Sequence, residues 1–114
     1  MNDSQMLLGM HFGNGFGSQP HAWRMPQVDP HNYTNFDAQV RYAQSAERGL
    51  FDFLFLPDFL GLSTDIGDAP SQLTLEPLLT LAAVARETKQ IGLAATGSTT
   101  FNEPYNLARQ FKTL

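Results

Sequence analysis

Residues 91–96, Ile-Gly-Leu-Ala-Ala-Thr, form a short apolar run without a charge. The polar stretch Gly97-Ser98-Thr99-Thr100-Phe101-Asn102-Glu103-Pro104 follows, and then Leu107, Ala108, Phe111 and Leu114 fall on one helical face. A continuous apolar run suits a parallel strand buried on both faces. Pro104 suits the first turn of a helix. The segment is therefore a βα unit with a polar loop at the carboxyl end of its strand, where α/β folds place their ligands.

The same unit recurs twice upstream. Residues 6–12 and 51–56 read as two further strands, the second ended by Pro57. Asn35 is a good N-cap for a helix over 36–48, with Phe36, Val40 and Ala43 on one face and Gly49 as its stop. Pro77 opens another helix, running to about Thr88, with Leu78, Leu81, Ala82 and Ala85 inward. The order is β-α-β-α-β-α, with long loops after strands one and two and short turns after the helices. Right-handed crossovers between sequential strands predict a parallel sheet in the order one, two, three, with the helices on one face. The fold class is α/β, and residues 1–114 read as part of one domain.

Composition narrows the function. The 114 residues carry a net charge of −4, with 42% apolar and 16% charged residues, so the chain is globular and has no basic footprint for nucleic acid. There is no cysteine, which removes disulfides and thiolate metal sites. No secretory leader and no run long enough to cross a membrane is visible, so the expectation is a cytoplasmic protein.

Few residues have the chemistry to act on a ligand. Gly13, Gly15 and Gly17 miss the dinucleotide fingerprint, because the third glycine comes one position early and Pro20 follows in a loop. His11, His21 and His31 lie ten residues apart, which matches no helical metal pair, so no metal site is expected. His21-Ala22-Trp23-Arg24 places an imidazole, an indole and a guanidinium together. Such a cluster could clamp an aromatic or anionic ligand; the plainer alternative has Trp23 plugging the loop against the sheet and Arg24 in a surface ion pair. Asp58, just beyond the second strand, could accept hydrogen bonds from a ligand or cap a turn. Thr96, Ser98, Thr99 and Thr100 offer hydroxyls to a ligand or to the loop backbone. No side chain stands out for the chemical step.

In order, the chain carries His21-Ala22-Trp23-Arg24, then Ala43-Gln44-Ser45-Ala46-Glu47-Arg48-Gly49-Leu50-Phe51-Asp52, and Phe55-Leu56-Pro57-Asp58. Ile91-Gly92-Leu93, Ser98-Thr99-Thr100-Phe101-Asn102-Glu103-Pro104-Tyr105 and Ala108-Arg109 follow. This set resembles the bacterial-luciferase-like, flavin-dependent monooxygenases, in the subgroup of nitrilotriacetate, dibenzothiophene-sulfone and pristinamycin-synthase monooxygenases. The resemblance implies the first three βα units of a (β/α)8 TIM-type barrel. It implies reduced FMN supplied by a separate flavin reductase, with O2 oxidising a small N- or S-containing organic substrate. It also implies flavin contacts at Asp58 and Thr96, and a substrate-side loop at His21, Trp23 and Arg24. A whole barrel takes about 250 residues, and its phosphate site is built after strands seven and eight. The chain therefore reads as an N-terminal fragment, expected to be inactive alone and to form a homo-oligomer or join a chain supplying the remaining barrel. Two alternatives stay open: a complete flavodoxin- or Rossmann-like binding module, and a non-catalytic split piece acting only with a partner chain.

Overall fold

The computed structural model describes residues 5–11, 13, 17, 19, 21–61, 67 and 75–114. Phe12 at the end of the expected first strand, Gly15, Pro20 and most of the 58–74 loop lie outside the described residues. Three strands, β1 (Gly9–His11), β2 (Phe53–Leu56) and β3 (Gly92–Ala95), alternate with three helices, α1 (Phe36–Arg48), α2 (Pro77–Ala85) and α3 (Pro104–Thr113). The strands form one parallel sheet in the order β1-β2-β3. A flavodoxin-like sheet would instead place the first strand between the other two.

Parallel pairing puts partnered residues on the same face. Met10, Leu54 and Leu93 are partners, as are Leu56 and Ala95, and all five turn toward the helices. There they join Ala43 and Ala46 of α1, Leu81 and Val84 of α2, and Ile91 in the buried core. The other face carries Gly9, Phe53 and Gly92, then His11, Phe55 and Ala94. It is the uncovered face, and Phe55 is 39% exposed. Among the described residues, β2 alternates in exposure and every residue of β3 is half-buried. Phe53 lies across this open face, its ring over Gly9. A Cβ at Gly9 would come within 2.3 Å of the ring, so only glycine lets Phe53 lie flat there.

Each helix has a local cause. Asn35 Oδ1 accepts from the Ala38 N–H at the start of α1, and Glu76 Oε2 accepts from the Leu79 N–H at the start of α2. Pro77 and Pro104 occupy first-turn positions. The end of α1 differs from expectation. Gly49 keeps an ordinary φ of −78°, and Leu50 takes the left-handed φ of +60°. Phe51 N–H reaches Ala46 C=O at 3.1 Å and Leu50 N–H reaches Glu47 C=O at 3.1 Å, the pairing of a Schellman stop.

The inward faces also shift. In α1 the buried side chains are Ala38, Gln39, Ala43 and Ala46, whereas Phe36 is exposed, because the first turn lies past the edge of the core. In α2, Thr80 and Val84 are buried and Ala82 is exposed, since the helix ends at Ala85 and packs into the sheet core through Leu81 and Val84. In α3 only Leu107 is buried; Ala108, Phe111 and Leu114 are exposed, for want of a neighbour on that side among the described residues.

Candidate functional site

The two ends of the sheet have different chemistry. At the amino ends, the 43–52 segment ties the structure together. Glu47 Oε1 accepts the N–H groups of Lys89, Gln90 and Ile91 at 2.7, 2.6 and 3.1 Å. The N–H groups of Gln90, Lys89 and Ile91, in that order of weight, hold the Glu47 carboxyl below the usual glutamate range, with a smaller pull from the Lys89 charge. Asp52 Oδ2 accepts from the Leu8 N–H at 2.7 Å, while its backbone pairs with Leu8 and Gly92. These carboxylates bind backbone at the closed end, so this motif is structural. Neither composition nor spacing marks Glu47 as the clasp of the α2–β3 turn.

At the carboxyl ends, Asp58 lies two residues beyond β2 and Thr96 directly follows β3. The strands put both residues in segments that leave the same end of the sheet: Leu56 pairs with Ala95, and the Thr96 N–H donates to Leu56 C=O at 3.0 Å. Both residues are half-buried. Gly97 lets α3 close onto this edge, because a Cβ there would lie 2.8 Å from Leu107 Cδ1 and 2.9 Å from Phe111 Cε2. Asp58 and Gly97 also line a groove of about 840 Å³ between α2 and α3, with Leu79, Ala82, Phe101 and Leu107 among its walls. In the following loop Asn102 Nδ2 donates to Ser98 C=O at 2.9 Å, so the hydroxyl run is braced from its own backbone.

The His21–Arg24 cluster stands apart. Residues Ala22–Arg24 form a single 3₁₀ turn held by its own backbone, with Arg24 N–H on His21 C=O and Met25 N–H on Ala22 C=O. The Arg24 guanidinium carbon sits 4.8 Å from the Trp23 ring centre, and Trp23 is half-buried. Arg24 is thus engaged by a cation–π contact, worth about 0.5–1 kcal/mol when exposed, and makes no ion pair among the described residues. Among the described residues no backbone hydrogen bond joins this turn to Asp58 or Thr96.

His11 is the residue that the ten-residue spacing concealed. It belongs to β1, as the expected first strand over 6–12 implies, and lies on the open face beside Phe55, with ring centres 6.3 Å apart. Its place between Gly9 and Phe12, alternating with Met10, was the available signal.

Comparison with known proteins decides the family. The model of the family described as luciferase-like monooxygenase matches residues 10–114. The chain belongs to this family. It is 43% identical over 111 residues to N-acetyl-S-(2-succino)cysteine monooxygenase of Bacillus subtilis (strain 168), covering 96% of this chain and 24% of that protein. It is 38% identical to nitrilotriacetate monooxygenase component A of Aminobacter aminovorans, covering 95% and 24%. Dibenzothiophene-sulfone monooxygenase and pristinamycin IIA synthase, which represent the rest of the expected subgroup, also match. Among solved structures, EDTA monooxygenase (EmoA) from Chelativorans sp. BNC1 superposes with a TM-score of 0.84 at 29% identity, covering 95% of this chain and 25% of that one. The chain spans about a quarter of the length of these relatives. The family sets aside the Rossmann-like module, whose first three strands could share the observed order.

Proposed function

We propose that the chain forms the first three βα units of a single barrel domain in a two-component, FMN-dependent monooxygenase. The observation that supports this reading is the luciferase-like family match over residues 10–114 on a parallel sheet in the order β1-β2-β3, with Asp58 and Thr96 in the segments that leave the carboxyl ends of two paired strands. The donor set fits a flavin ring. A carboxylate can accept from the ring imide N–H, a hydroxyl can donate to a ring carbonyl, and the paired Phe55 and Ala94 give the open face of the sheet an apolar wall. Bound reduced FMN supplies two electrons for O2, one oxygen atom passing to the substrate and the other leaving as water. The protein's own part is to orient the ring through Asp58 and Thr96 and to exclude water along the Phe55 face.

The substrate is a small organic acid carrying nitrogen or sulfur. Three relatives are named for nitrilotriacetate, EDTA and N-acetyl-S-(2-succino)cysteine, each a polycarboxylate. Arg24, on a turn that follows β1, gives the loop a fixed positive charge, and His21 and Trp23 complete a substrate-side wall. The name "component A" of one relative supports a separate partner; here the partner is a flavin reductase. No described helix is long and apolar enough to cross a membrane, and the reading puts the protein in the cytoplasm beside that reductase.

The test uses the full-length chain with a flavin reductase, FMN and O2. Asp58→Ala and Thr96→Val should each lower the apparent affinity for reduced FMN roughly tenfold. That matches the loss of about 1.4 kcal/mol expected when a ligand group loses a hydrogen-bond partner. The thermal midpoint should move by only a few degrees. Unchanged flavin affinity with a collapsed midpoint would make both residues structural.

A further inference from the structure

Six residues of the three strands face away from the helices: Gly9, His11, Phe53, Phe55, Gly92 and Ala94. They form two layers. The lower one is closed by Phe53, lying flat over Gly9. The upper one holds His11, Phe55 and Ala94 at the carboxyl ends. His11 is the one polar side chain of the six. Among the described residues its imidazole makes no hydrogen bond, only the tilted ring contact with Phe55. In a barrel this face turns inward, and the carboxyl ends of its strands line the ligand pocket. His11 is exposed on this sheet face; once a barrel closes over it, an imidazole beside Phe55 and Ala94 requires a hydrogen-bonding partner in the pocket.

Resting on the carboxylate-substrate reading above, we propose that His11 is a specificity-determining residue whose ring N–H binds a carboxylate oxygen of the substrate. Position separates this role from a flavin contact. β2 stands between β1 and β3, so His11 is one strand removed from Thr96. The chain leaving His11 leads into the turn that carries His21 and Arg24. β1 thus supplies a ring N–H on the open face for an anion, while Asp58 and Thr96 follow β2 and β3. Phe53 sets the depth of the pocket, so the anion is met at the His11 layer and no deeper.

The probe is metal-free nitrilotriacetate, titrated into the full-length chain and followed by the histidine ring resonances, which need no turnover. The His11 signals, assigned by their loss in His11→Leu, should shift saturably. His11→Leu should weaken binding at least tenfold, and His11→Gln, which keeps an N–H donor, less than that. Apparent affinity for reduced FMN should change less than twofold in both variants. Equal binding of nitrilotriacetate by wild type and His11→Leu overturns the proposal. So does no binding at millimolar probe, or an equal loss of flavin affinity. Binding through His11 without oxidation, when reductase, FMN and O2 are supplied, supports this assignment and refutes the monooxygenase reaction proposed for the site.

Discussion

Two residues at the closed end of the sheet carry effects that no pattern of apolar residues announces. Glu47 gathers three backbone N–H groups, and its carboxyl is held below the usual range by them. A carboxyl lowered in the folded state stabilises the fold above its unfolded pKa, roughly 4.3, and that stability is lost as pH falls through the folded value. Glu47→Gln should therefore destabilise the protein at neutral pH and flatten the acid limb of a plot of thermal midpoint against pH. An acid limb identical to wild type would remove Glu47 from the pH dependence. Leu50 is the opposite case. It is 83% exposed and sits at φ +60°, held there by the Schellman pair. A β-carbon in that region costs about 1–2 kcal/mol, and no packing is lost by removing the side chain. Leu50→Gly should raise stability by about 1 kcal/mol in urea unfolding, the flexibility of glycine in the unfolded chain offsetting part of the relief.

At the scale of the element, β2 organises both faces. Leu54 and Leu56 enter the core against α1 and α2, while Phe53 and Phe55 occupy the open side. The Phe53 ring and Gly9 interlock, so their substitutions should not add. Gly9→Ala places a methyl into the ring and should cost about 1–3 kcal/mol. Phe53→Leu frees that space, and the double variant should recover at least about 0.5 kcal/mol relative to the sum of the two, the usual range for residues in contact. Additivity within about 0.3 kcal/mol would mean that the ring moves aside at no cost. The helices show why periodicity alone misplaces side chains. Ala82 and Val84 both fit an inward stripe in an almost wholly apolar segment, and only the angle at which α2 meets the sheet selects Val84.

For the molecule as a whole, β1 and β3 each pair on one side only within the described residues. Neither strand contains a lysine or a proline, the usual blocks to edge pairing. Leu79, Phe101, Tyr105 and Phe111 add exposed apolar surface around the α2–α3 groove. Residues 1–114 produced by themselves should therefore self-associate, as seen by size-exclusion chromatography with light scattering. They should also show no saturable FMN site at micromolar concentration. The hydrogen bonds that Asp58 and Thr96 can offer, about 0.5–1.5 kcal/mol each, do not exceed an association cost of at least about 4 kcal/mol. A cooperatively melting monomer at high micromolar concentration would contradict the edge argument.

Helix starts were legible because their causes are local: Asn35, Pro77 and Pro104 act within one turn of themselves. Strand identity and order were legible because βαβ handedness leaves few arrangements. The motifs of the chain pointed to its family. Other features were not legible, because they depend on partners distant in sequence. The Glu47 clasp spans more than forty residues. The left-handed Leu50, beside a glycine better suited to the role, is set by hydrogen bonds back into α1. The sidedness of β2 and β3 is invisible in a run that is apolar throughout, since alternation appears only when one face is covered and the other open. His11 was legible as a residue of the first strand, but only strand register assigned it to the open face.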